Sequence, residues 1–195
     1  MEIISELFVR QFINRQIISP DKKEIYKTGL NLIIADIINF TLVLAIGVIT
    51  KSFISGCIYL IMFWTLRRFS GGFHAKTYGV CRLVTLGTYI LILLISRIID
   101  NYLLICTFIC DLITIITMIV FAPIRHPNKE LTENEVKANK LFSVVVTIFY
   151  VTISIILTII GRKEGIVIAL VLLAISVLMY IGLYTNEKEV RKNVQ

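Results

Sequence analysis

The feature that most constrains this chain is a series of six long runs of apolar residues, at 30–50, 53–66, 83–99, 102–122, 141–160 and 165–185. A helix that crosses a bilayer needs roughly 20 apolar residues, with a range of about 17–25. Four of the runs meet this length, whereas the run at 83–99 is marginal because it contains Arg97, and the run at 53–66 is short. We therefore predict an all-α integral membrane protein with about six hydrophobic helices, some of them short or re-entrant.

The composition agrees with a membrane protein rather than with a large soluble core. The 195 residues are 57% hydrophobic with a mean hydropathy of +0.86, whereas soluble domains are usually about 45–50% apolar. We expect one domain, divided into an N-terminal helix and linker (1–29), membrane helices (30–185) and a cytoplasmic tail (186–195). Because only Asp100 and Asn101 join the third and fourth runs, we also predict a tight helical hairpin there.

A helix of a different kind precedes the first run. Its apolar residues recur at helical spacing, while charged and amide side chains fall elsewhere on the helix; the apolar set is Ile3, Ile4, Leu7, Phe8, Phe12 and Ile13. This pattern is typical of an amphipathic helix that lies in the membrane interface. A helix packed against a partner subunit would show the same pattern, so both alternatives stay open. Pro20 and the charged residues 21–24 are expected to end this helix.

The positive charges are distributed unevenly among the connections between the runs. If all six runs cross the membrane from a cytoplasmic N-terminus, most Lys and Arg side chains lie on the cytoplasmic side. Those on the other side are Lys51, Arg97, Arg162 and Lys163. This bias is the positive-inside pattern, and it accounts for the net charge of +7 without a nucleic-acid partner. We therefore expect the lipid bilayer as a partner, no nucleic acid, and both termini in the cytoplasm.

The stretch RRFSGGFHAKTYGVC, from Arg67 to Cys81, interrupts the apolar pattern on the cytoplasmic side. Seven residues separate His74 from Cys81, which on a continuous α-helix is a rise of about 10.5 Å. A hydrogen-bonded pair needs heavy atoms roughly 2.6–3.2 Å apart. The glycines of this stretch permit turns with positive φ. We predict a loop that folds back, with the third apolar helix beginning near Val80 and Cys81 in its first turn.

Both position and charge favour a thiolate at Cys81. A helix N-terminus stabilises a thiolate, and so does a neighbouring imidazolium. The cations of this stretch add positive potential, and they are Arg67, Arg68, Lys76 and Arg82. One interpretation is a nucleophilic cysteine paired with His74. The other is a small, packed cysteine beside a solvated histidine.

Two motifs carry a resemblance to a known family. The stretch from Arg67 to Cys81 resembles the catalytic region of the accessory gene regulator B (AgrB) family, which are bacterial membrane peptidases that process quorum-sensing propeptides. The stretch APIRHPNKELTENE, from Ala122 to Glu135, is similar to that family's loop between the later membrane segments. The order of the motifs, their separation and the chain length agree, so the resemblance covers essentially the whole chain.

The resemblance implies a cysteine endopeptidase of the bacterial cell membrane. It makes Cys81 the nucleophile, His74 the general base and acid, and Arg67 and Gly72 supporting residues. The implied substrate is an AgrD-like precursor with an amphipathic leader, a central signal segment and an acidic C-terminal tail. Cys81 would release the tail and form a thioester, which a Cys or Ser side chain of the peptide attacks to give a thiolactone or lactone. A homodimer is also implied, and no cofactor is expected.

Further candidates for substrate-binding or supporting roles are Arg68, Ser70, Gly71, Lys76, Asp36 and His126. Ser70 is close enough in sequence to orient His74. Asp36 lies within about two turns of the cytoplasmic end of its run, and ionisable residues inside the membrane are functional candidates by default. His126 is expected to hold the shape of its loop or to touch substrate rather than to do chemistry.

Other polar residues have more than one interpretation. Asn39, Arg97 and Asp111 lie in apolar runs, where helix pairing and function are both open. Thr132 and Glu135 fit a capping box, which predicts that a helix begins there and leads into the fifth run.

No metal site is expected. Cys106 and Cys110 share a helix face, but without a nearby histidine they are better interpreted as packed residues. A disulfide framework is implausible for cysteines inside apolar runs.

Two rival functions fit the sequence less closely. A small transporter or exporter is suggested by the many spans and by the acids Asp36 and Asp111. A non-catalytic scaffold would use the basic face to dock an acidic partner. The transporter depends on the buried acids, whereas the scaffold tolerates changes at both His74 and Cys81.

Overall fold

The computed structural model describes residues 2–72, 77–99, 103–124 and 132–194. These residues form helices without strands, which confirms the predicted fold class. The helices are α1 (Glu2–Asn14), α2 (Lys23–Ile49), α3 (Phe53–Ser70), α4 (Tyr78–Ile98), α5 (Leu103–Phe121), α6 (Glu133–Ile159) and α7 (Glu164–Val194), and a short 3-10 turn at Pro20–Lys22 leads into α2.

Five stretches of the described chain are long and apolar enough to cross a membrane, at Pro20–Ile49, Tyr78–Ile98, Leu103–Phe121, Glu133–Ile159 and Glu164–Thr185. The short second run corresponds to α3, which is not one of these five. With 18 residues, α3 is about 27 Å long. Its last turn carries Arg67 and Arg68, so these charges, rather than its length, distinguish α3 from the five apolar stretches.

The last helix, α7, lies at the centre of the bundle. It packs against α3, α4, α5 and α6. Every residue from Gly165 to Leu172 is buried, whereas the other helices bury one face. A helix that is apolar on all sides is suited to this central position. The core of the protein is therefore built around α7.

The predicted hairpin of the third and fourth apolar helices is wrong. Over their described residues, α4 packs against α2 and α7, whereas α5 packs against α6 and α7, and the two helices do not pack along one another. Their connection at residues 100–102 lies outside the described residues. Each helix packs part of its apolar surface against α7 rather than against the other.

The N-terminal helix α1 docks on the start of α2 through Glu6. Arg10 donates a hydrogen bond to the Glu6 carboxylate at 3.0 Å, and the ammonium groups of Lys23 and Lys27 lie 3.4 and 3.7 Å from its oxygens. Ser5 and Val9 are buried, while the apolar residues exposed on α1 are Ile3, Ile4, Leu7 and Phe8. The helix thus has one docked face and one exposed apolar face, as an interfacial helix requires.

The helix boundaries at the later motif agree with the sequence. Thr132 caps α6 by accepting a hydrogen bond from the Glu135 amide at 3.4 Å, and the Glu135 carboxylate accepts one from the Thr132 amide at 2.8 Å. The predicted capping box is confirmed. At the other end of the chain, α7 continues to Val194, so the residues predicted as a tail extend the last helix.

Candidate active site

The two sequence motifs meet where α3 ends. The amide of Ile124 donates a hydrogen bond to the carbonyl of Ser70 at 2.9 Å. Gly71 has a φ of 72°, and a Cβ at this position would lie 2.5 Å from the Ile124 carbonyl oxygen. Gly72 has a φ of 132° and lies against Leu178 of α7. Both positions therefore favour glycine. Gly71 brings the end of α3 against the loop that follows α5, and Gly72 brings the chain against α7.

The start of α4 places Cys81 at the end of a capped first turn. The Thr77 hydroxyl accepts a hydrogen bond from the Val80 amide at 3.3 Å, which makes Thr77 the N-cap. The Cys81 amide donates to the Thr77 carbonyl at 3.1 Å. The helix begins at Tyr78, two residues before the expected start, and the prediction that Cys81 lies in its first turn is confirmed. The amides of this turn orient their positive ends towards the loop.

A cavity of about 240 Å³ opens between α2, α3 and α4. It is lined by Asp36, Asn39 and Phe40 of α2, by Leu60, Phe63, Trp64, Arg67 and Arg68 of α3, and by Cys81 and Thr85 of α4. Aromatic walls are thus combined with a thiol, a carboxylate, an amide and two guanidinium groups. Largely apolar walls with a few polar groups are typical of a site that binds part of a substrate.

Arg67 is a cation in the wall of the cavity that contains Cys81. It is half-buried, its guanidinium lies over the Phe63 ring at 5.0 Å, and it interacts electrostatically with Cys81 and Asp36. Arg68 is exposed and lies over the Trp64 ring at 5.9 Å. Arg67 therefore combines a cation with an aromatic wall in the cavity that contains Cys81.

Tyr59, which supports this site, was missing from the candidates drawn from the sequence, and the sequence leaves Asn39 open between helix pairing and function. Tyr59 is fully buried and donates a hydrogen bond to the Thr85 carbonyl at 2.9 Å, which joins α3 to α4 one turn beyond Cys81. A tyrosine in an apolar run gives no signal of such a role. Asn39 did give a signal, as an amide in a predicted membrane helix, but the sequence alone does not show that it shares a cavity with Cys81.

The structure brings Asp36, Arg67, Arg68 and Cys81 together around one cavity. The side chain of Asp36 is exposed at the wall of this cavity. Ser70 and Gly71, at the end of α3, contact the later motif at Ile124 instead, and Gly72 lies against α7. The candidates His74, Lys76 and His126 lie outside the described residues.

The remaining polar residues of the runs, Arg97 and Asp111, lie outside the cavity. Arg97 donates a hydrogen bond to the Thr50 carbonyl at 2.9 Å and joins the ends of α4 and α2, which favours helix pairing. Asp111 is buried with 2% of its surface exposed. Both of its carboxylate oxygens are buried without a hydrogen-bond partner among the described residues, and it does not line the Cys81 cavity.

The cysteines give no indication of a metal centre. Among the described residues, no cluster of three or more His, Cys, Asp or Glu side chains is placed to hold a metal ion. All four cysteines are free. Cys106 and Cys110 belong to the apolar core, which agrees with the interpretation of packing.

Fold and cavity together define a class: a helical membrane protein with a cysteine at the start of a helix, facing a cationic cavity. Over residues 5–184 the chain matches the sequence model of a family described as Accessory gene regulator B, AgrB. It belongs to that family, whose members are membrane proteases with a general role in processing quorum-sensing propeptides. Searches among curated proteins and among solved structures found no match.

Proposed function

We propose that this protein is a cysteine endopeptidase that removes the C-terminal tail of an AgrD-like propeptide and promotes its cyclisation. The observation that carries the proposal is the position of Cys81, in the first turn of α4 and in the wall of a cavity that also contains Arg67. Family membership supports the general role of propeptide processing. The mechanism and the product below are part of the proposal.

The reaction is an acyl transfer in two steps. The Cys81 thiol gives its proton to the imidazole of His74, and the sulfur bonds to the peptide carbonyl carbon. The carbon–nitrogen bond then breaks, His74 returns the proton to the leaving amine, and the tail departs. A Cys or Ser side chain of the peptide next gives its proton to His74 and attacks the thioester. The bond between the carbonyl carbon and the Cys81 sulfur breaks, the proton passes to that sulfur, and a thiolactone or lactone closes. The aromatic walls of the cavity keep water from the thioester.

Charge supports the choice of substrate and the orientation in the membrane. Arg67 and Arg68 face a cavity at the end of the bundle where cations are concentrated. A positive surface attracts an acidic tail, with a reach of about 8 Å at physiological salt. We place the site on the cytoplasmic side of the bacterial plasma membrane, in agreement with the positive-inside pattern. A homodimer is part of the same proposal.

The decisive test compares two cysteines in the purified protein, reconstituted in lipid vesicles with the propeptide from the same organism. Cys81→Ala should slow tail release by at least about 10³-fold. Cys57→Ala is the matched control, since Cys57 is half-buried in α3 and does not line the cavity. His74→Ala should also stop cleavage. The wild type should show a propeptide adduct by mass spectrometry, which added thiol releases.

Cleavage of the propeptide by the Cys81→Ala protein would contradict the proposed peptidase function. If Asp111→Asn then abolished product release from the vesicles, the exporter would replace the peptidase, because Asp111 is the buried carboxylate on which transport would depend.

A further inference from the structure

We propose that Asn39 is a catalytic residue: its side-chain amide donates a hydrogen bond to the oxyanion that forms when Cys81 attacks the peptide carbonyl. This inference rests on the proposed peptidase function and names the group that would stabilise its tetrahedral intermediate. It starts from an amide that lacks a partner. Asn39 has 5% of its surface exposed, and its carbonyl oxygen is buried without a hydrogen-bond partner in the described part of the chain.

Burial of an unpaired amide costs stability, and an apolar side chain of the same size would avoid this cost. A bound ligand offsets this cost when it supplies the missing hydrogen-bond partner. Asn39 meets this condition because it lines the same cavity as Cys81. The NH₂ and oxygen ends of an asparagine amide are assigned by their partners, and with no partner in the described chain the NH₂ end can face the cavity.

The packing of α2 against α4 lets Asn39 and Cys81 line the same cavity. Arg97 of α4 donates a hydrogen bond to the Thr50 carbonyl at the C-terminal end of α2, so the two helices run in the same direction. A Cβ at Gly47 of α2 would lie 3.1 Å from the Tyr89 hydroxyl of α4. Asn39 and Cys81 both lie on the N-terminal side of these contacts.

Two of the backbone amides at the start of α4 are already in use. The Cys81 amide donates to the Thr77 carbonyl, and the Val80 amide donates to the Thr77 hydroxyl. A side chain of another element can therefore add a donor for an oxyanion at Cys81. Among the polar side chains of the cavity, the Asp36 carboxylate can only accept, and the Thr85 hydroxyl donates to the Cys81 carbonyl. The amide of Asn39 is a neutral donor in the wall of the same cavity.

The chemistry balances with Asn39 in this role. When the sulfur bonds to the carbonyl carbon, the second pair of the carbonyl bond moves to the oxygen, and an Asn39 N–H donates to that charge. When the pair returns, the carbon–nitrogen bond breaks and the leaving nitrogen takes its proton from His74. Asn39 gains and loses no proton, so its effect is confined to the transition state.

The experiment replaces Asn39 by Leu and measures the rate of adduct formation at Cys81 with the propeptide in lipid vesicles. We expect kcat to fall about 10²- to 10³-fold, with KM within roughly threefold of the wild type, since the contact forms only in the transition state. Asn39→Asp keeps the size of the side chain and removes the N–H donors, so its kcat should fall by a similar factor. If Asn39→Leu does not fold, Asn39→Asp replaces it as the test. Asn39→His, which restores a donor, should recover part of the rate.

Asn31→Leu is the matched control. Asn31 lies two turns earlier on the buried face of α2, and its carbonyl oxygen is also without a partner in the described chain, but it does not line the cavity. We expect a cleavage rate near that of the wild type. Alkylation of Cys81 by iodoacetamide, read by mass spectrometry, should be unchanged in all of these variants, which shows that the cavity is intact.

Three results would overturn the inference and leave the peptidase standing. These are wild-type kcat in Asn39→Leu and Asn39→Asp, a raised KM with unchanged kcat, or a parallel loss of cleavage and alkylation. The last would make Asn39 a structural residue. Absence of any adduct on the wild-type protein is a different outcome, because it removes the proposed function together with this inference.

Discussion

At the scale of single residues, the site depends on which polar groups the helices turn towards one another. The sequence indicated Cys81 and Arg67 because both stand in an unusual stretch between apolar runs. It could not separate Asn39 from Asn31, which have the same residue type, helix and buried face. Only the packing of α2 against α3 and α4 shows that Asn39 alone of the two reaches the cavity. Residue type can be read from a sequence, but the neighbours across a helix interface cannot.

Arg67 and Arg68 give a test at this scale. Arg67→Met should slow the alkylation of Cys81 by iodoacetamide about three- to tenfold at neutral pH, because the thiolate is the reactive form and loses a half-buried cation of the same cavity. Arg68→Met removes the same charge from an exposed position and should change the rate less than twofold. Equal effects of the two substitutions, measured by mass spectrometry of the Cys81 peptide, would show that general surface charge rather than Arg67 sets the reactivity.

At the scale of elements, the apolar runs predicted which segments are helical but did not predict where each helix begins and ends. The capping box at Thr132 marked the start of α6 correctly, since both partners of the cap lie close in sequence. The start of α2 at Lys23 was missed because its first two turns are polar. Charged residues there continue the helix beyond the apolar run, and Lys23 and Lys27 face Glu6 of α1. The hydropathy of neighbouring residues does not predict a long-range contact of this kind.

The contact of α1 with α2 should depend on pH. Hydrogen bonds from Arg10 and Lys23, together with the charge of Lys27, hold the pKa of the Glu6 carboxyl below its ordinary value of 4.5. A lowered pKa means that docking is fully supported above pH 4.5 and is lost as the pH falls through the lower, folded value. Glu6→Gln should therefore weaken docking at pH 7 and abolish its dependence on acid pH. Limited trypsin cleavage after Arg10 should then be roughly threefold faster.

Glu24→Gln is the control for this test, because Glu24 is exposed on the first turn of α2. Its cleavage rate should match that of the wild type. Equal protection of α1 in the wild type and in Glu6→Gln would mean that the apolar contacts of Ser5 and Val9, rather than the ion pairs, hold the helix.

At the scale of the whole molecule, the site depends on a helix that does not line its cavity. The helices that carry Arg67 and Cys81, α3 and α4, both pack against α7, and Gly72 touches α7 directly. The apolar runs identified α7 as a membrane helix, but they could not identify it as the centre, since several runs are equally apolar. The failed hairpin has the same cause: proximity in sequence predicted a pairing that the central helix replaces.

Gly165 tests this dependence at the end of the bundle opposite to Cys81. A Cβ at Gly165 would collide with the Thr158 hydroxyl and lie 2.7 Å from the Ser154 carbonyl oxygen, so α6 and α7 must separate to admit it. Overpacking of this kind typically costs about 1–3 kcal/mol, and Gly165→Ala should lower the thermal unfolding temperature in detergent. Gly87→Ala is the matched control, because Gly87 lies within α4 with open space at its Cβ position, and it should be neutral or stabilising by up to about 1 kcal/mol.

Since α3 and α4 pack against α7, the rate of propeptide cleavage by Gly165→Ala should fall in proportion to the folded fraction of the protein. The folded molecules should keep the wild-type rate of Cys81 alkylation. A Gly165→Ala protein as stable as the wild type would show that α7 does not fix the packing of the bundle.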